Sequence, residues 1–224
     1  CINLYPDFFA SYIKLGSLFL RTGDTKGAES LLLKSLDINS EYEVSYFLLG
    51  KIYIEFDDYE KAKFYLSRAI EIKPNYIEAY QSLAILLRNY HKLKEAKKLL
   101  LDALTINPNE FTFHYLLASV YIENVELDEA EKSLRISIEI SPDHAESYSY
   151  LGSVLIELGR IDEAEKLFLK SLQLNPFLAN SFFQLARLKK VLPNNHLEKQ
   201  LFSNDILANQ RRPLDKSDIY FARA

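Results

Sequence analysis

Along most of the chain, apolar residues recur at spacings of three and four, the signature of helices that bury one face. The pattern comes in pairs of stretches. In the first stretch of each pair an aromatic place (Tyr12, Tyr46, Tyr80, His114, Tyr148, Phe182) precedes a leucine (Leu15, Leu49, Leu83, Leu117, Leu151, Leu185). A small residue follows each leucine: Gly16, Gly50, Ala84, Ala118, Gly152 and Ala186. These places share a helical face, and a small residue there lets a neighbouring helix come close. The second stretch carries Ala28, Ala62, Ala96, Ala130 and Ala164, then Leu32, Leu66, Leu100, Leu134 and Phe168, then Ser35, Ala69, Ala103, Ser137 and Ser171. Every landmark returns after 34 residues without insertion. A period of this size predicts stacked helical pairs, since one pair cannot bury its own apolar face.

The boundaries follow from the same columns. Complete units run 9–42, 43–76, 77–110, 111–144 and 145–178, with a sixth first helix at 179–192. Residues 1–8 read as the end of a preceding repeat, and 193–224 as a divergent linker and the start of a further helix. Pro74, Pro108, Pro142 and Pro176 end second helices, because proline cannot continue one. Asn75, Asn109 and Asp143 follow three of these prolines and are expected to cap the next first helix. Gly23 and Gly159 mark the turn inside a pair, where Asp57, His91 and Val125 stand in the other units. Acidic residues (Glu60, Asp128, Glu129, Asp162, Glu163) gather where second helices begin, as the helix dipole favours.

Composition narrows the function classes. The formal charge of −4 over 224 residues offers no clustered cations for a phosphate backbone, so no nucleic acid is expected as partner. Cys1 is the only cysteine, which excludes an intrachain disulfide and any zinc site built from several thiolates. No apolar run is long enough to span a membrane and no secretory signal opens the chain, so the reading is a cytoplasmic protein with no membrane partner. No Met occurs anywhere, position 1 included, and the first residues already fit a repeat, so the chain is expected to begin inside a longer protein.

These columns resemble the tetratricopeptide repeat over residues 9–192. The resemblance implies an all-α, right-handed superhelical solenoid of antiparallel helix pairs. It also implies a non-catalytic scaffold that holds a protein or peptide segment in a concave groove lined by the first helices. Carried over place by place, the groove residues are Ile13, Phe47, Gln81, Tyr115, Ser149 and Phe183 at the fifth place, Lys51 and Arg187 at the ninth, and Arg88 at the twelfth. Phe47, Tyr115 and Phe183 are the expected aromatic anchors. Neither specialised version of the family carries over. The carboxylate clamp of chaperone-binding members is not assembled, and the sixth place (Lys14, Leu48, Ser82, Leu116, Tyr150, Gln184) holds no asparagine for a sugar-transferase ladder.

A second resemblance concerns the C-terminal segment. LARLKK from Leu185, a turn at Pro193, and IYFARA from Ile219 are similar to the linker of bacterial repeat-containing sulfotransferases. That resemblance implies the substrate-presenting arm of a larger transferase. Its catalytic domain would lie downstream, because none of the six glycines builds a phosphate-cradling loop. No catalytic constellation, cofactor motif or metal-ligand spacing emerges from the rest. His91, His114, His144 and His196 form no His-x-x-x-His pair, and the pairs Glu129 with Glu131 and Glu163 with Glu165 start second helices.

Overall fold

The computed structural model describes residues 8–188, and those residues contain eleven α-helices and no strand. They fall into two compact units that divide after Pro108. The first unit holds α1 (Phe9–Thr22), α2 (Thr25–Ile38), α3 (Glu43–Glu55), α4 (Tyr59–Ile72), α5 (Ile77–Asn89) and α6 (Leu93–Ile106). The second holds α7 (Phe111–Glu123), α8 (Leu127–Ile140), α9 (Ala145–Glu157), α10 (Ile161–Leu174) and α11 (Ala179–Arg187). Within each unit a first helix packs on its own second helix, and that second helix packs on the next first helix. The architecture is therefore the helical-pair solenoid that the periodicity predicts.

The small column after each leucine explains how close the paired helices come. A Cβ built on Gly50 would lie 2.7 Å from Leu66 Cγ and 3.3 Å from the Leu66 backbone nitrogen. One on Gly152 would lie 2.8 Å from the Phe168 ring. Leu32, Leu66, Leu100, Leu134 and Phe168 are all fully buried beneath this contact.

All five turns inside the pairs take the left-handed conformation, with φ of 85° at Gly23, 56° at Asp57, 54° at His91, 60° at Val125 and 78° at Gly159. Each helix end closes in the same way: the N–H of the left-handed residue bonds back three residues, and the next N–H bonds back five, as in Asp57 to Ile54 and Asp58 to Tyr53. Val125 is the outlier among them, because a β-branched side chain is least tolerant of positive φ. It is 77% exposed, so its side chain gains little from packing. Val125→Gly is therefore expected to stabilise the protein by about 1 kcal/mol net of the glycine's entropy in the unfolded chain. A urea melt checks it; an unchanged or lowered midpoint would count against the strain.

One expectation about polar residues changes. Asn75, Asn109 and Asp143 do not cap the following helices, whose first flanking residues are Tyr76, Glu110 and His144. They sit one place too early, inside the turn made by the proline. Glu110 caps its helix itself, accepting from Thr112 N at 3.3 Å. At two other junctions the side chain one residue before the proline place closes the turn: Asn39 Oδ1 accepts from Glu41 N at 3.0 Å and Asn175 Oδ1 from Phe177 N at 3.1 Å. Among second helices, Asp24 and Asp58 cap, accepting from Gly27 N and Lys61 N.

The late serines of the second helices are likewise more than substitutes for alanine. Ser35 pairs with Ser45 at 2.8 Å, Ser137 with Ser147 at 2.9 Å and Ser171 with Ser181 at 2.5 Å, all fully buried. Each pair ties a second helix to the next first helix by satisfying two hydroxyls that burial would otherwise penalise.

Candidate functional site

The expected groove residues all lie on first helices, and the structure sorts them by accessibility. In the first unit Ile13 is only 8% exposed and belongs to the interior. Phe47 is half-buried, its ring 5.1 Å from Tyr76, with the exposed Lys51 ammonium 5.9 Å above its centroid. Gln81 and Arg88 are half-buried. Ile54 and Ile85 add apolar surface, 39% and 40% exposed. Burial pushes the Tyr76 hydroxyl up to about 12, with Glu78 and Glu43 adding to the shift, so it remains a neutral donor beside Phe47.

In the second unit Tyr115 is half-buried and held edge-on between His144, at 5.0 Å, and Tyr150, at 5.1 Å. Phe111 approaches the same imidazole at 4.9 Å, and His144 Nδ1 lies 2.8 Å from Ser147 Oγ. Burial lowers the His144 pKa, which favours the neutral ring within this aromatic group; Glu146 and Asp143 oppose the shift more weakly. Ser149 is 2% exposed, and its hydroxyl accepts from Asn180 at 2.8 Å and from Ser181 at 2.9 Å. It joins α9 to α11 from inside, which leaves it no surface for a partner. Phe183 is half-buried, with the guanidinium of exposed Arg187 5.6 Å from its centroid.

Glu129, Glu131 and Glu163 of the acidic pairs at the starts of second helices are engaged by cations. Glu129 meets Lys132 at 2.7 Å, and Arg160 bridges Glu131 at 2.7 Å and Glu163 at 2.6 Å. Burial would raise the Glu131 carboxyl, but hydrogen bonds from Arg135 and Arg160 outweigh it and hold the group below the usual carboxylate range. The bridge ties α8 to the turn before α10. Among the described residues no group of three or more His, Cys, Asp or Glu is placed to hold a metal ion, and no helix is long and apolar enough to cross a membrane.

The sequence reading missed two clefts at the edge where first helices end. One, of about 350 Å³, lies between the α3–α4 turn and the end of α5. The other, of about 320 Å³, lies in the second unit at the α7–α8 turn and the end of α9. Their rims are built from residues on either side of the left-handed turn. The visible signal was Tyr59 and Tyr90, two aromatics in places that are not aromatic in every repeat. The segment 193–224, with its linker and IYFARA, lies outside the described residues.

Family models for the tetratricopeptide repeat match residues 9–42, 44–76, 82–145 and 145–178, together well over half of the chain. No curated protein matches the chain in sequence. Solved structures do resemble it in fold. The pilF protein of Pseudomonas aeruginosa is 17% identical, with 95% of this chain and 96% of that one covered at a TM-score of 0.74. A MamA segment from Desulfovibrio magneticus RS-1 is 18% identical over 75% of this chain and 95% of that one, at 0.65. YrrB, described as a repeat protein of this type with an unusual peptide-binding site, is 19% identical over 85% and 96%, at 0.63.

Proposed function

The chain belongs to the tetratricopeptide repeat family, and from that premise we propose that it is a cytoplasmic, non-catalytic scaffold whose first-helix walls hold an extended segment of a partner protein. The observation that carries the reading is the combination, on these walls, of half-buried aromatics with accessible cations beside them. Phe47 with Lys51 and Phe183 with Arg187 are the two cases. Rings already ordered by neighbouring side chains, as Phe47 is by Tyr76, meet a partner at little entropic cost, which is how preformed surfaces gain affinity. Tyr115, pinned by His144 and Tyr150, is a third such anchor. Ile13 and Ser149 serve the stack itself, while Lys51, Gln81, Arg88 and Arg187 surround the anchors as polar contacts.

Panning a random peptide library on the purified protein tests the reading. Selected peptides are expected to lose at least about tenfold in affinity to Phe47→Ala or Tyr115→Ala, with the helical circular dichroism retained. Binders indifferent to these substitutions, or none at all, would refute it. The segment from Leu185 onward motivates a second reading, the substrate-presenting arm of a sulfotransferase-like enzyme with a catalytic domain in the same chain. A nucleotide-sulfate phosphate loop encoded downstream of Ala224 would support that alternative; further repeats or a stop codon would oppose it.

A further inference from the structure

The cleft at the turn edge of the first unit differs from its counterpart in the second in a way the fold does not require. Ile54 and Ile122 occupy corresponding places, as do Leu86 and Val154, so both clefts have an apolar floor. The rims diverge: Asp57 and Tyr59 stand where the other cleft has Val125 and Leu127. Tyr59 and Tyr90 lie with ring centroids 4.6 Å apart, forming an aromatic wall. The Tyr90 hydroxyl donates to Asp57 Oδ1 and fixes the carboxylate at the rim. Oδ2 of this exposed aspartate has no partner among the described residues.

Helices α3 and α5 end at this edge and α4 and α6 begin just beyond, so the opposed helix dipoles leave the local charge to the side chains, with Asp57 at the rim. The neighbouring lysines are paired with other carboxylates: Lys61 Nζ is 3.4 Å from Asp58 and 4.8 Å from the Tyr53 ring centroid, and Lys63 Nζ is 2.6 Å from Glu95 and 5.8 Å from the Tyr59 ring centroid. What remains is a concave surface with a carboxylate and two phenol rings above exposed Ile54 and Ile85.

We propose that this cleft docks one arginine side chain of a partner protein. The aliphatic stem lies on Ile54 and Ile85, and the guanidinium sits beside the Tyr59 and Tyr90 rings with its N–H groups donating to the Asp57 carboxylate. Arginine fits better than lysine because a planar guanidinium can stack on an aromatic face while donating to a carboxylate. The site shares Ile54 and Ile85 with the first-helix wall, but its carboxylate and rings come from the turn edge, so a free arginine ligand tests it whether or not the wall holds a peptide.

The test is an NMR titration of the isotopically labelled protein with N-acetylarginine amide and with N-acetylcitrulline amide, its neutral near-isostere. Arginine is expected to shift Ile54, Ile85 and Tyr90 saturably and to leave Ile122 and Ile156 of the second cleft unmoved. Citrulline is expected to bind at least about tenfold more weakly, the loss of a charge-assisted contact. Asp57→Asn, which tolerates the left-handed backbone, should reduce arginine binding to the citrulline level, and Asp57→Gly should do the same at the same φ. Equal binding of the two ligands, indifference to both substitutions, or no saturable shift would each overturn the proposal.

Discussion

Phe168→Ala is expected to destabilise the second unit by about 3–5 kcal/mol, the range for emptying a fully buried aromatic site. The ring is completely enclosed, and it lies where a Cβ on Gly152 would come within 2.8 Å of it. This is the place occupied by Leu32, Leu66, Leu100 and Leu134 in the other repeats. Phe168→Leu should therefore cost about 1 kcal/mol, since leucine fills the same space in four other pairs and loses only part of the volume. Because a solenoid's stability is a sum over neighbours, the alanine variant should also speed amide exchange in α9 and α10. Urea melts of both variants decide the matter; equal costs for alanine and leucine would mean that the ring does not fill this contact.

The second large effect is expected at the buried serine pairs. Ser35→Ala should cost about 1–3 kcal/mol, because it leaves the Ser45 hydroxyl buried with no other partner among the described residues. Removing both hydroxyls should restore most of that loss. Ala69 and Ala79 occupy the equivalent places one repeat later and are equally buried, so the junction tolerates an apolar pair. The double-mutant cycle is thus expected to show a coupling of at least about 1 kcal/mol between Ser35 and Ser45. Strictly additive single substitutions would show that the two hydroxyls act separately.

These serines show where sequence reading stopped short. The periodicity placed every helix, because burial of one face at 3.6 residues per turn leaves a repeating trace whatever lies next to it. In the sequence the column of Ser35, Ala69, Ala103, Ser137 and Ser171 shows only that small residues recur. Only the pairing of residues ten apart shows that Ser35, Ser137 and Ser171 appear where Ser45, Ser147 and Ser181 do. The cap assignments failed for a related reason. Asn75, Asn109 and Asp143 have the right chemistry for an N-cap, but the proline turn places the helix start one residue further on, at Tyr76, Glu110 and His144.

The candidate site was legible in part. Family places single out Phe47, Tyr115 and Phe183 on the first helices, but carry no measure of what each side chain meets. Ile13 and Ser149 occupy the same fifth place and are interior, Ser149 because Asn180 and Ser181 arrive from α11 to bond it. Of the clefts at the turn edge the sequence showed only the irregular aromatics Tyr59 and Tyr90, since each cleft joins residues roughly one repeat apart.

By itself the sequence determined the repeat length, the helical pairing, the packed faces and the places of the turns. Each of these follows from periodicity or from the backbone limits of single residues, and both are local. Tertiary structure alone decided which wall residues remain accessible, which serines bond each other, and that Asp57, Tyr59 and Tyr90 converge on one cleft. Those outcomes depend on how closely successive helices approach, a distance set by the packing of Gly50 on Leu66 and Gly152 on Phe168 and written in no single stretch of the chain.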